Sequence, residues 1–367
     1  GHRNIAAGTD ALLSNTTGAY NAAFGQDSMG LNTTGVNNTG VGRGVGYTNT
    51  TGSNNTAVGM NALYYNSTSN ENTAVGYWAL NANTGSRNVG VGVSALVANT
   101  TGSSNVAVGG FAGKAITTGG DNVAIGYDAL ITQTTASYSV AIGRDALKVN
   151  TTGGQTGVGY QALKANTTGA SNVAVGRDAL ESNTTGDNGT AVGAYALESN
   201  TTGVDNTGVG FQALQANNGA YNTAVGRNAL NANTGGNNNT AVGRIALNVN
   251  STGSQNTALG YGALSANTTA SENTAVGYNA LDANTTGDRN TAVGYNALLT
   301  NVDGDRNVAV GYQALKTMDP SSNADTMNVG VGYAALEATT TGVNNTAVGG
   351  YVMQQNSTGG HSCAFGE

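Results

Sequence analysis

Small apolar residues return along this chain on a fixed beat. The stretch from Asn273 to Arg289 gives the unit: Asn-Thr-Ala-Val-Gly-Tyr-Asn-Ala-Leu-Asp-Ala-Asn-Thr-Thr-Gly-Asp-Arg. Thr274-Ala275-Val276 alternates β-branched and small residues, which is the period of a strand. Asn279-Ala280-Leu281 reads as a second short strand, and Asn284-Thr285-Thr286-Gly287 carries turn chemistry. A helix is disfavoured, because glycines interrupt every few residues and the strand positions are β-branched. Each unit therefore predicts two short strands and two turns, closing into one coil of a parallel stack.

The glycine that ends the strand fixes the count. It occurs twenty-two times from Gly8 to Gly366, among them Gly59, Gly126, Gly193, Gly277 and Gly349; seventeen of the intervals are 17 residues, three are 16 and one is 21. A period so short and so even across residues 1–367 predicts a single repeat array, an all-β parallel β-solenoid of about 22 coils. At about 4.8 Å per coil the stack would run on the order of 100 Å. The residue two before this glycine is Ala or Gly in every repeat. That face admits no bulk, so another backbone is expected close by, either the opposite wall of the coil or a neighbouring chain. The Val before the glycine and the Leu four after it form a recurring apolar pair, whose burial would contribute roughly 2–3 kcal/mol per side chain. Asn holds the strand-entry position in eighteen of twenty-two repeats and the turn position in seventeen of twenty-one. Stacked amides at those positions are expected to bond coil to coil and to satisfy turn backbone groups. The 21-residue interval contains the single proline, Pro320, and predicts a loop over 317–327 extruded from the array.

Composition narrows the functional classes. Charged residues are 9% of the chain, glycines number 57 and the net charge is −7. No basic patch exists to hold phosphates, so a nucleic-acid partner is not expected, and no apolar run approaches the length of a membrane-spanning helix. Only two histidines occur, His2 and His361 at opposite ends, so no local triad or metal cluster is expected; the reading is not an enzyme, with no cofactor and no metal. Cys363 stands alone and excludes an internal disulfide. Asp128, Asp145 and Asp178 recur at repeat spacing and would be neighbours on one face, solvated or beside a cation. The calcium-binding nonapeptide of parallel β-rolls is absent. Adjacent Thr pairs in the turn, rather than alternating ones on a strand, do not suit an ice-binding array.

The residue after the closing glycine offers more. It is Tyr at five consecutive repeats, Tyr261, Tyr278, Tyr295, Tyr312 and Tyr333, and Arg at Arg43, Arg144, Arg177, Arg227 and Arg244. An aromatic ladder flanked by guanidinium groups is a candidate glycan-contact surface, set against the structural reading of rings that stack between coils or pack laterally between chains. Asn-x-Ser/Thr sequons recur in the turn, at Asn15, Asn99, Asn183 and Asn356, and would be N-glycosylation sites in a secretory pathway.

The pentapeptide Asn122-Val123-Ala124-Ile125-Gly126 resembles the head repeats of trimeric autotransporter adhesins. The longer unit with Ala-Leu-x-Ala-Asn-Thr-Thr-Gly is similar to repeats in fibre proteins of tailed phages and large aquatic viruses. The adhesin resemblance implies a left-handed parallel β-roll with three chains packed together. Both imply a structural shaft on a virion or cell surface, extracellular, with multivalent contact to cell-surface glycans. Neither end of the repeat is capped, and exposed strand edges invite pairing. This supports either a piece of a longer chain or an alternative role, a self-assembling extracellular matrix filament that grows end to end.

Overall fold

The computed structural model describes residues 3–320 and 324–366, and among them it contains strands, turns and bends but no helix. The chain is an all-β parallel β-solenoid with a repeat of about 17 residues. It divides into two compact units, residues 1–185 and 186–367. The first holds eleven three-residue strands, from Ile5–Ala7 to Val173–Val175; the second holds eleven more, from Thr190–Val192 to Cys363–Phe365. Within each unit a strand pairs in parallel with its counterpart one repeat on, residue for residue, as Thr56↔Thr73 and Thr274↔Thr291. The 16-residue repeats keep this register, as Thr73↔Val89, because the missing residue falls in the turn.

The interior settles which side of the strand faces in. Strand-centre alanines such as Ala74 and Ala275 are fully buried, as are the alanine and leucine that follow, Ala79 and Leu80 or Ala280 and Leu281. The Ala/Gly face therefore lines the coil. The expected burial of the Val–Leu pair divides in two: Leu goes in, whereas Val58 and Val75 remain 36% exposed. A coil this thin has room for one long side chain, and strand alternation turns the Val outward once the central Ala points inward.

The predicted second strand is absent. Asn279 and Leu281 have φ of +49° and +53°, left-handed values that break an extended ladder. Backbone bonding persists by another route. Asn279 N–H donates to the Tyr261 carbonyl one repeat back at 2.9 Å, while Leu281 N–H donates to the Ala297 carbonyl one repeat on at 3.0 Å. A left-handed leucine costs about 1–2 kcal/mol, which its fully buried side chain offsets.

The closing glycine is held by its own chain. At Gly59 φ is +123°, and a Cβ there would lie 2.6 Å from the Gly76 carbonyl oxygen. The backbone that approaches is thus the next coil's, where the opposite wall or a neighbouring chain was expected.

Two amide columns run inside each stack. Asn38 N–H donates to Asn21 Oδ1 at 2.9 Å, and Asn38 Nδ2 donates to the Gly52 carbonyl at 2.8 Å. In the turn column Asn49 Nδ2 donates to Asn32 Oδ1 at 2.7 Å and to the Gly52 carbonyl at 3.0 Å. At one Asn-lacking position in each column Gln substitutes: Gln155 Oε1 accepts from Asn172 N–H at 3.0 Å, and Gln133 Oε1 accepts from Asn150 Nδ2 at 2.9 Å. These bonds satisfy polar groups that would be costly to bury alone.

Of the predicted loop over 317–327, residues 321–323 lie outside the described residues. On either side of them Met318 and Thr326 are fully buried, and Ala324–Asp325 pairs in parallel with Gly304–Asp305.

Candidate functional site

The column after the closing glycine becomes a continuous aromatic stack in residues 186–367. Ring centroids are 5.2 Å apart from Tyr261 to Tyr278, 5.3 Å at each of the next two steps and 4.8 Å from Tyr312 to Tyr333, with interplanar angles of 8–11°. Tyr351 extends the column with its ring tilted by 54°, and the Arg244 guanidinium lies over Tyr261 at 5.7 Å. Desolvation against these neighbours pushes the Tyr333 hydroxyl up, and the Tyr351 phenol beside it adds to the effect. The spacing follows from the coil rise, since one ring per coil in the same rotamer must stack. Tyr278, Tyr295 and Tyr312 each have a ring on both sides. Their faces are covered, so the column presents edges and hydroxyls to solvent instead of the flat faces on which a sugar ring packs.

The same column does not stack in residues 1–185. Tyr77 lies flat against Trp78 of its own coil at 5.2 Å, and Tyr127 meets Phe111 edge-on with the Arg144 guanidinium 5.9 Å away. Here the aromatic residues gather elsewhere. Tyr47 and Tyr64, both five after a closing glycine, stack at 5.3 Å, and Tyr65 meets Tyr64 at 74° and 4.8 Å. With Trp78, Asp27, Arg43 and Asn81 they line an open hollow of about 560 Å³. Gly44 lines the hollow, and Gly30 leaves room for the Tyr47 ring. A Cβ on Gly44 would lie 2.6 Å from Asn61 Oδ1, and one on Gly30 would lie 3.0 Å from the Tyr47 ring. Partial burial pushes the Tyr64 hydroxyl up, with Tyr65, Tyr47 and the Asp27 carboxylate contributing. Reading the repeat one unit at a time misses this hollow; aligning the position two after each closing glycine exposes it as Asp27, Gly44, Asn61, Trp78.

The carboxylates expected to be solvated are not. Asp145 and Asp178 are 5% exposed. Lys148 Nζ donates to Asp145 at 2.8 Å and to Asp128 at 3.3 Å, and Arg177 Nε pairs with Asp178 at 3.0 Å. The bond to Asp145, then that to Asp128, holds the Lys148 ammonium above its ordinary value. The repeat that aligns the acids also aligns the cations that neutralise them, and among the described residues no three metal-ligating side chains converge. His361 and Cys363 are exposed, and His2 lies outside the described residues.

Two of the four sequon amides face inward. Asn99 Nδ2 donates to Asn83 Oδ1 at 2.7 Å and to the Gly102 carbonyl at 2.9 Å, and Asn183 Nδ2 donates to Asn166 Oδ1 at 2.7 Å; both side chains are fully buried. A sugar on either nitrogen has no room within the stack. Asn15 and Asn356 are half-buried and bond the carbonyls of Gly18 and Gly359.

No helix among the described residues is long and apolar enough to cross a membrane. Neither a protein-family model nor a curated relative matches this sequence.

Proposed function

We propose that this chain is the shaft of an extracellular fibre, carried on a virion or cell surface, in which three copies pack side by side. The observation that carries this reading is the outward row of valines. Val41, Val58, Val75, Val108 and Ile125 are 36–41% exposed in the first unit, and Val192, Val225, Leu259 and Val348 are 37–47% exposed in the second. An apolar row on a surface otherwise rich in Asn and Thr is a contact surface. Its partner must match a feature that recurs once per coil over many coils, and another copy of the same stack has that period. A homotrimer built on this row makes a stiff support that needs neither catalysis nor a cofactor.

Light scattering of the purified chain tests the proposal. Three chains per particle, reduced to one by Val192→Lys combined with Val225→Lys while the β-sheet circular dichroism persists, supports it. A wild-type monomer at the highest attainable concentration overturns it.

A further inference from the structure

We infer that the hollow between Tyr47 and Trp78 is a binding site for a short uncharged oligosaccharide. The inference is independent of the assembly reading, since one chain supplies every residue involved.

Three observations converge on it. The first is the clustering of departures from the repeat. Neighbouring coils place Gly44 where Asp, Asn or Gln is usual, Tyr47 and Tyr64 at a position that carries no aromatic residue in any other repeat, and Trp78 beside them. Stacking needs none of these substitutions, because coils with the ordinary residues pair in the same register. The second is the state of the rings. Trp78 is stacked on one face, by Tyr77, and is 41% exposed; Tyr65 has a single ring partner, Tyr64, and is 56% exposed. Unlike the covered rings of the tyrosine column, these offer apolar faces to the C–H face of a pyranose. The third is the polar complement. Asp27 and Arg43 line the hollow, and neither enters an ion pair or a side-chain hydrogen bond among the described residues. A carboxylate accepts from hydroxyls, a guanidinium donates to them, and the Asn61 and Asn81 side chains bring amide groups to the same wall. Hydroxyl groups are the ligand chemistry that uses donors and acceptors together.

Charge excludes the nearest rivals. A phosphate or sulfate would meet Arg43 but also Asp27, and an organic cation would meet the reverse. An uncharged polyol engages both without leaving either opposed. A volume of about 560 Å³ falls within the ~300–1,000 Å³ of small-ligand sites, wide enough for more than one sugar ring.

The chain contains one tryptophan, Trp78, so tryptophan emission reads this hollow alone. Titration of the full chain with maltotriose, cellotriose and mannotriose, and with a galacturonic acid trimer, decides the matter. The expected result is a saturable change with at least one neutral trisaccharide. Binding should weaken at least about tenfold in Tyr65→Ala, and likewise in Arg43→Gln, with circular dichroism unchanged. It should be unaffected by Tyr295→Ala in the tyrosine column of the second unit. Four results overturn the proposal: no saturable change with any neutral trisaccharide, a response to the acidic trimer only, undiminished binding in Tyr65→Ala, or undiminished binding in Arg43→Gln.

Discussion

The tyrosine column of residues 186–367 and the aromatic hollow of residues 1–185 are both built from aromatic side chains on coils of the same repeat, and the rings are arranged differently. In the column one ring per coil repeats, each ring covers the next, and the apolar faces vanish into the stack. In the hollow only Tyr47 and Tyr64 share a repeat position, Tyr65 and Trp78 come from two others, glycine withholds a side chain between them, and faces stay open. Regularity consumes aromatic surface, and irregularity exposes it. In a solenoid the local break in the pattern is therefore the informative place, since the consensus is already explained by stacking.

Column and hollow stand on the same kind of coil, and the largest expected effect tests that. Gly59→Val in the first unit and Gly226→Val in the second each place a Cβ within 3 Å of the next coil's carbonyl oxygen at a φ of +123° or +136°. Each should cost about 3 kcal/mol or more, read as a lowered denaturant midpoint and lost amide protection around the substitution. A tolerated valine in either unit would break the common scaffold. Next in size is the difference between the two kinds of ring. Tyr295→Ala removes two stacked contacts and should cost about 2 kcal/mol, whereas Tyr65→Ala removes one edge contact and should cost about 1 kcal/mol or less. Equal losses in thermal melts would erase the distinction between column and hollow.

The smallest effect concerns the least regular part of the second unit. Burial raises the Asp305 carboxyl above its ordinary value, with Asp288 and Asp325 adding and the Asp288 N–H bond and Arg306 opposing. A raised carboxyl means that the folded chain tolerates the ionised form less well than the unfolded chain does. The resulting cost is present above the folded value and disappears as pH falls through it and below the ordinary carboxylate value. Asp305→Asn keeps the oxygen that accepts from Asp288 N–H at 2.7 Å. It should stabilise at neutral pH by under about 1 kcal/mol after solvent screening, with no gain in acid. A gain that grows on acidification would reverse the sign.

The coil, its parallel register and both amide columns were legible in the sequence, because each depends on what recurs at the repeat spacing. The outward Val and inward Leu were not, since periodicity marks both as apolar and only the thickness of the coil decides which one fits inside. Nor were the left-handed turns at Asn279 and Leu281, where ordinary propensity speaks against a leucine and the bonds that hold it come from coils a repeat away. The stacking of the tyrosine column was legible too, as one ring per repeat at the expected coil rise, but not which of the stacking and glycan readings its covered faces would favour. The hollow required reading across the stack, from Asp27 through Gly44 to Asn61 and Trp78.

The strand-entry amides all point one way. In both units Oδ1 of one coil accepts from the N–H of the coil that follows, as Asn21 does from Asn38 and Asn273 does from Asn290. A coil duplicated into either stack in the same orientation finds an acceptor in the coil before it and a donor in the coil after it, whatever its neighbours' surface residues. An inverted coil would set carbonyl against carbonyl. The interior thus works as a grammar that accepts new words of one repeat in one reading direction, leaving length and surface free to change while the core is copied.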